Sequence, residues 1–198
     1  MITITSILEA EQYLDNIEAV IFDLDDTLYP EKEYVRSGYR KIAKWLEKPE
    51  IEEQLWAVFQ RGGKAINEVL EEKNRAEALR LYRVQQPDIH LYPGVRKMID
   101  RIKCQKKIGI ITDGRPEGQR AKLHALDLAV DEVIVTDELG GIDFRKPCLV
   151  AYQKMQQMLG VPFEKMVYIG DNAKKDFIAP EKLGMKWIWF KNSDGLYK

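Results

Sequence analysis

Five short apolar runs punctuate the chain: Ala19 to Phe22, Lys107 to Ile111, Glu132 to Val135, Met166 to Ile169 and Lys186 to Phe190. Their length and their β-branched and aromatic content predict strands, the first buried on both faces. Between the last four runs, the apolar positions recur with a helical period. Gly94 to Lys106 carries Val95, Met98, Ile99 and Ile102, and Pro116 to Leu128 carries Ala121, Leu123 and Leu126. Lys146 to Leu159 opens at Pro147, carries Leu149, Tyr152 and Met155, and stops at Gly160. Strands alternating with helices predict βαβ units, and so an α/β fold with a doubly wound five-stranded parallel sheet. Ser6-Ile7-Leu8-Glu9 has capping-box spacing, and Leu14 and Ile17 continue its apolar stripe, which predicts a short amphipathic helix before the first strand.

One stretch breaks the alternation. From about residue 31 to 88 the pattern is helical only, with Trp45, Leu55, Trp56, Phe59, Ile66, Val69, Leu70, Leu79 and Tyr82 at broadly helical spacings. Structureless connections of that length are uncommon in compact domains, so a small all-helical cap with its own core is predicted. Its aromatics are expected to pack on one another. The chain thus divides into a sheet core, residues 1–30 and 89–198, and a cap, residues 31–88, with hinges near Tyr29-Pro30 and Gln86-Pro87.

A chain of 198 residues holds one sizeable core with room for a small inserted module. Its 31 basic and 32 acidic residues nearly cancel, which argues against nucleic acid or a membrane surface as a partner. Cys104 and Cys148 stand in no metal-ligand spacing. With no signal-peptide pattern at the N-terminus and no window long enough to span a membrane, they are expected to be reduced thiols of a cytoplasmic protein.

The chemistry gathers where the apolar runs end. Asp23-Leu24-Asp25-Asp26-Thr27 follows the first strand, and three carboxylates in four positions repel one another unless a cation sits among them. A hard divalent ion that prefers oxygen ligands is implied, most plausibly Mg²⁺. Thr112-Asp113-Gly114 ends the second strand and offers a hydroxyl and main-chain N–H groups of the kind that hold phosphate oxygens. Lys146 stands at a predicted helix start fixed by Pro147; Gly170-Asp171-Asn172 ends the fourth strand, and Asp176 precedes the next helix. Singly, each has a plain structural alternative: an acidic turn, a solvated lysine, a helix cap. Their joint order past successive strands favours a site.

On these motifs the chain resembles the haloacid dehalogenase superfamily, in its phosphatase branch with a small helical cap inserted between the first two strands. The resemblance spans the whole chain, is specific in the core and rests in the cap on position, length and helicity. It implies a Rossmann-like core and a Mg²⁺-dependent phosphatase that acts on a small phosphorylated metabolite. Asp23 would be the nucleophile that forms a phosphoaspartate, and Asp25 the proton donor and acceptor. Mg²⁺ would be held by the Asp23 side chain, the Asp25 carbonyl and Asp171. Thr112, Gly114 and Lys146 would hold the phosphoryl oxygens, with Asp176 and Asn172 supporting them. Many relatives carry Gly at the position of Asp26 and Asn at that of Asp113. Asp113 is expected to point away from the phosphate pocket or to meet Arg115.

A phosphomutase would use the same residues. A phospho-receiver module of signalling shares an aspartate pair, a threonine and a lysine on such a sheet, but its acceptor follows the third strand, where Val135-Thr136-Asp137 is the only candidate. In the cap, the turn Arg61-Gly62-Gly63-Lys64 is the expected substrate-facing segment, with an ordinary helix–helix turn as the alternative. Arg115, Arg145 and Lys146 would favour a second anionic group on the ligand.

Overall fold

The computed structural model of the chain describes residues 2–196. Its parallel strands are β1 (Ile2–Ile4), β2 (Ala19–Phe22), β3 (Lys107–Thr112), β4 (Glu132–Val135), β5 (Met166–Gly170) and β6 (Lys186–Phe190), in the order β1-β6-β5-β2-β3-β4. Five are the predicted ones. The sixth corrects the five-strand expectation: β1 pairs Ile2, Thr3 and Ile4 with Ile188, Trp189 and Phe190. Three residues are too few to display a period, and it is the open edge of β6 that makes them a strand.

Among the described residues the α-helices are α1 (Glu31–Trp45), α2 (Glu50–Gln60), α3 (Ala65–Val69), α4 (Glu72–Arg83), α5 (Val95–Lys103), α6 (Pro116–Leu126), α7 (Leu149–Leu159) and α8 (Ile178–Leu183). The strand period of two decides which helix covers which face. Val20 and Phe22 of β2 pack with Val95, Met98, Ile99 and Ile102 of α5. Ala19 and Ile21 pack on the other side with Ala151, Tyr152, Met155 and Leu159 of α7. All four β2 side chains are fully buried, which is why that strand reads as an unbroken apolar run.

The helix expected after Ser6 starts there, as the 3₁₀ helix Ile7–Tyr13, with Glu9 Oε1 accepting the Ser6 N–H at 2.7 Å. One helix start differs from expectation. Helix α7 starts at Leu149 and not at Lys146-Pro147, because the chain turns there: the Cys148 N–H donates to Arg145 O at 2.9 Å across Lys146 and Pro147, and Arg145 and Cys148 are extended.

The chain leaves β2 toward β3 and β4, then returns to β5 on the opposite side of β2. A crevice therefore opens at the carboxyl ends of β2, β3 and β5, where the winding direction reverses. Helices α1 to α4 lie between β2 and β3 in sequence and share a core of their own around Val35, Tyr39, Ile42, Leu55 and Val58. Two of its expected apolar members fall elsewhere: Trp45 is exposed, and Leu79 lines the crevice. Among the described residues no helix is long and apolar enough to cross a membrane.

Gly38 allows α1 and α4 to approach each other. A Cβ there would lie 2.4 Å from the Tyr82 ring, which is held edge-on against Tyr34 with centroids 5.6 Å apart. Gly38→Ala gains about 1 kcal/mol in helix propensity but faces an overpacking penalty of about 1–3 kcal/mol that a wedged ring cannot relieve. The net expectation is a loss of about 1 kcal/mol, read as a lower urea midpoint at unchanged m-value.

Candidate active site

The loop after β2 is shaped by its own hydrogen bonds. The Asp23 N–H donates to Ile169 O at 2.9 Å, which extends the ladder one residue past the strand, and Leu28 N donates to Leu24 O at 3.0 Å, which closes a helical turn. Asp26 takes a left-handed φ of 53°, a conformation that glycine adopts most readily and aspartate tolerates. Its Oδ1 accepts the N–H of Glu31 at the start of α1 (2.9 Å), and its Oδ2 accepts that of Leu196 (2.7 Å).

Lys146 is completely buried. Its Nζ lies 2.6 Å from Asp23 Oδ1, 2.8 Å from Asp176 Oδ1 and 2.9 Å from the Tyr168 hydroxyl. The alternative of a solvated surface lysine is thereby excluded. Burial opposes its charge, but Asp176 and Asp23 more than compensate and hold its pKa well above the ordinary lysine value. Burial pushes Asp23 up to about 6 against the attraction of Lys146. Gly170 permits this packing, since a Cβ there would lie 2.5 Å from Asp176 Oδ2.

Asp25 is held from several sides. Lys122 Nζ donates to its Oδ1 at 2.7 Å, Gln119 Nε2 donates to its Oδ2 at 2.8 Å, and the Tyr29 hydroxyl donates to Oδ1. Burial pushes Asp25 up, yet Lys122 and these donors outweigh it and hold the carboxyl below its usual range. Gln119 also donates to Thr112 Oγ1, which leaves the Thr112 hydroxyl proton available to an acceptor. The face of Tyr34, from α1, lies 4.3 Å from Lys122 Nζ. Beside them burial, then the charge of Asp25, pushes Glu31 up to about 8.

Carboxylate oxygens of Asp23, Asp171 and Asp176 lie within 4.8 Å of one another. Asp176 is engaged on both sides, by Lys146 and by the Asn172 N–H at 2.9 Å, whereas Asp171 Oδ2 is buried with no hydrogen-bond partner among the described residues. Burial, then Asp23 and Asp176, pushes Asp171 up to about 8. An orphaned carboxylate oxygen next to Asp23 fits a hard divalent cation, which takes oxygen ligands and removes that repulsion.

These groups floor a cleft of about 960 Å³, a small-molecule size, roofed by α4 and Tyr34. Asp23, Asp25, Asp113, Gly114, Lys146, Asp171 and Asn172 all line it. Of the two expectations for Asp113, to point away from the pocket or to meet Arg115, the second is corrected: its Oδ2 accepts from Lys175 Nζ at 2.9 Å, and its Oδ1 accepts from the Thr136 hydroxyl at 3.0 Å and the Lys146 N–H. The expected cap turn is corrected too. Arg61 and Lys64 are not among the lining residues, and Arg61 is drawn to Glu68 at 2.6 Å. The insert instead presents Ala76, Leu79, Arg80 and Arg83 of α4.

A profile of the haloacid dehalogenase-like hydrolases matches residues 17–184, which takes in β2 through α8 with the whole insert. The chain belongs to that family. A glyceraldehyde 3-phosphate phosphatase of Methanocaldococcus jannaschii is 27% identical over 208 aligned residues, covering 92% of this chain and 87% of the relative. Among solved structures, a haloacid dehalogenase superfamily hydrolase of Geobacter sulfurreducens superposes with a TM-score of 0.67 at 20% identity, covering 90% of this chain and 89% of that one. A magnesium-bound hydrolase of the superfamily from Bacillus subtilis gives 0.66 at 19%, covering 87% and 86%. The receiver reading falls with the family match. Asp137, the acceptor that reading needs, is closed by Arg145, which donates to both its oxygens at 2.7 Å.

In this haloacid dehalogenase-like chain, the residues missed from sequence are Gln119, Lys122, Tyr29, Tyr168 and Lys175. The signal for two of them was present but faint. Gln119 and Lys122 stand one turn apart on α6, both nearly fully buried, where the helical period asks for apolar residues.

The acidic cluster makes stability depend on pH in a way that a cation reverses. Asp171 and Asp23 are raised from an ordinary 3.8 to about 8 and about 6, so the stability that their neutral forms contribute is full below about pH 4 and is lost as pH rises through those values. A bound cation favours the charged forms over that same window. The increase in Tm produced by saturating MgCl₂ is therefore expected to be larger near pH 8 than near pH 5, by at least ~4 °C. Equal increments in thermal melts at the two pH values would remove the cation from this cluster.

Proposed function

We propose that this chain is a Mg²⁺-dependent phosphatase that hydrolyses a small organic phosphate monoester through a phosphoaspartyl intermediate, with α1 to α4 as the cap over its site. One observation carries the reading: a buried aspartate, Asp23, gripped through one oxygen by a buried lysine at the floor of a cleft of small-molecule size. The name of the Methanocaldococcus relative supports phosphate-ester chemistry and makes glyceraldehyde 3-phosphate the first ester to try. Magnesium in the Bacillus hydrolase supports the choice of ion. Free thiols at Cys104 and Cys148 agree with a cytoplasmic setting.

Asp23 Oδ2, the oxygen that Lys146 leaves free, attacks phosphorus in line. The new P–O bond to Asp23 forms as the bond to the ester oxygen breaks, and Asp25, held ionised by Lys122, takes up the proton of the monoanionic ester and passes it to the departing alkoxide. Water then attacks the phosphoaspartate, its proton passes to Asp25, and inorganic phosphate leaves with Asp23 restored. Thr112, the Gly114 main chain and Lys146 hold the oxygens on which charge accumulates. Asp23, the Asp25 carbonyl and Asp171 would hold Mg²⁺, which would supply positive charge that lets the phosphoryl group approach so many carboxylates. The Lys122 pair favours the ionised Asp25 that the water step uses.

Excess EDTA is expected to abolish phosphate release and MgCl₂ to restore it. Asp23→Asn should turn over no ester. Asp25→Asn should slow the first step severely for an alkyl phosphate and much less for p-nitrophenyl phosphate, whose phenolate leaves without a proton, and should give a burst of nitrophenolate near one equivalent. Equal slowing of both first steps, or a burst from Asp23→Asn, would reverse the two assignments.

A further inference from the structure

The chain contains eleven arginines. Seven pair with carboxylates of the protein, and Arg75 and Arg96 donate to main-chain carbonyls. The two without an ion pair or a hydrogen bond among the described residues are Arg83 and Arg115. Both line the same cleft, Arg83 from the last turn of α4 in the insert and Arg115 from the turn after Gly114 in the sheet core. An unpaired arginine on an open surface is ordinary. Here the two guanidinium groups with neither a carboxylate nor a carbonyl partner among the described residues fall in one cleft.

The other cations of the cleft each neutralise a carboxylate already present: Lys122 that of Asp25, Lys146 that of Asp23, Lys175 that of Asp113, Arg80 that of Glu77 and Arg145 that of Asp137. Of the three cations that the sequence suggested for a second anion, Arg145 and Lys146 are thus engaged and Arg115 is left. Two glutamates share the wall. Burial, then the charge of Asp25, raises Glu31 to about 8, and Glu117 is exposed on the first turn of α6. Beside them stand two guanidinium groups, each a planar fork matched to the oxygens of a carboxylate or phosphate.

We propose that Arg83 and Arg115 form a second anion subsite, which takes a carboxylate or second phosphate borne by the leaving group of the ester. The subsite rests on the phosphatase reading, with the transferred phosphoryl group at Asp23 and Lys146. Ala76 and Leu79 of α4 line the same cleft with apolar surface, which suits a short carbon skeleton between the two anions. The insert and the core each supply one arginine, so the preferred substrate is one that both bodies hold.

Matched esters test this. 3-Phosphoglycerate and glyceraldehyde 3-phosphate share a skeleton and a phosphate position but differ in bearing a carboxylate or an aldehyde; fructose 1,6-bisphosphate and fructose 6-phosphate form the phosphate arm. In at least one arm the doubly anionic ester should show a kcat/KM at least about tenfold higher, mainly through KM, and a correspondingly tighter Kd by calorimetry on the Asp23→Asn protein, which does not turn over. The arm that responds identifies the anion. Arg83→Gln and Arg115→Gln, both at exposed positions where folding is not at risk, should each shrink that ratio several-fold, and the double variant should bring it within about twofold of unity. No preference in either arm, in rate or in binding, overturns the subsite, as does a preference that survives in the double variant. Mg²⁺-dependent hydrolysis of p-nitrophenyl phosphate reports separately on the phosphatase reading, so the two ideas can fail independently.

Discussion

The ammonium of Lys146 sits where water does not reach, and its contacts with Asp23, Asp176 and the Tyr168 hydroxyl permit the rest of the site to exist. Burying a single carboxylate without a partner is strongly unfavourable, and this chain buries Asp23, Asp171 and Asp176 together. One cation among them turns mutual repulsion into a network with fixed geometry. The turn from Arg145 to Cys148 carries this lysine, and the Lys146 N–H is fixed there by Asp113 Oδ1 at 3.0 Å.

The parallel sheet supplies the rigid part of this arrangement. Its reversal of direction beside β2 brings the ends of β2, β3 and β5 to one crevice, and period-two packing on α5 and α7 fixes the strands. The insert supplies a second wall of different character. Helix α4 presents apolar and cationic side chains over a floor of carboxylates and lysines.

The residues legible in the sequence stand directly after strands. Asp23, Asp25, Thr112 and Asp171 could be found because an apolar run announces where a strand ends, and polar groups at several such ends must meet in a doubly wound sheet. Lys146 was legible by its order among those motifs, though its placement on a helix start was not correct. Gln119 and Lys122 were faint because their burial depends on contacts 94 and 97 residues away along the chain; on their own helix they are polar residues on the face where apolar ones are expected. Arg61 shows the complementary failure. A Gly-Gly turn between helices looks adaptable, but which turn of a small bundle faces the crevice is decided by how α1 packs on α4 around Gly38, and a single sequence does not display that packing.

The contact between Tyr34 and Lys122 bears on how such chains can be recombined. Tyr34 belongs to the insert, yet its ring abuts the ammonium that grips Asp25, so the boundary between the two bodies passes through the surroundings of that buried carboxylate and not around them. Exchange of α1 to α4 for the insert of another member would import a foreign neighbour for Lys122 along with a foreign α4. The insert is therefore not an interchangeable module, and inheritance of a new specificity by shuffling would have to carry α6 along with it.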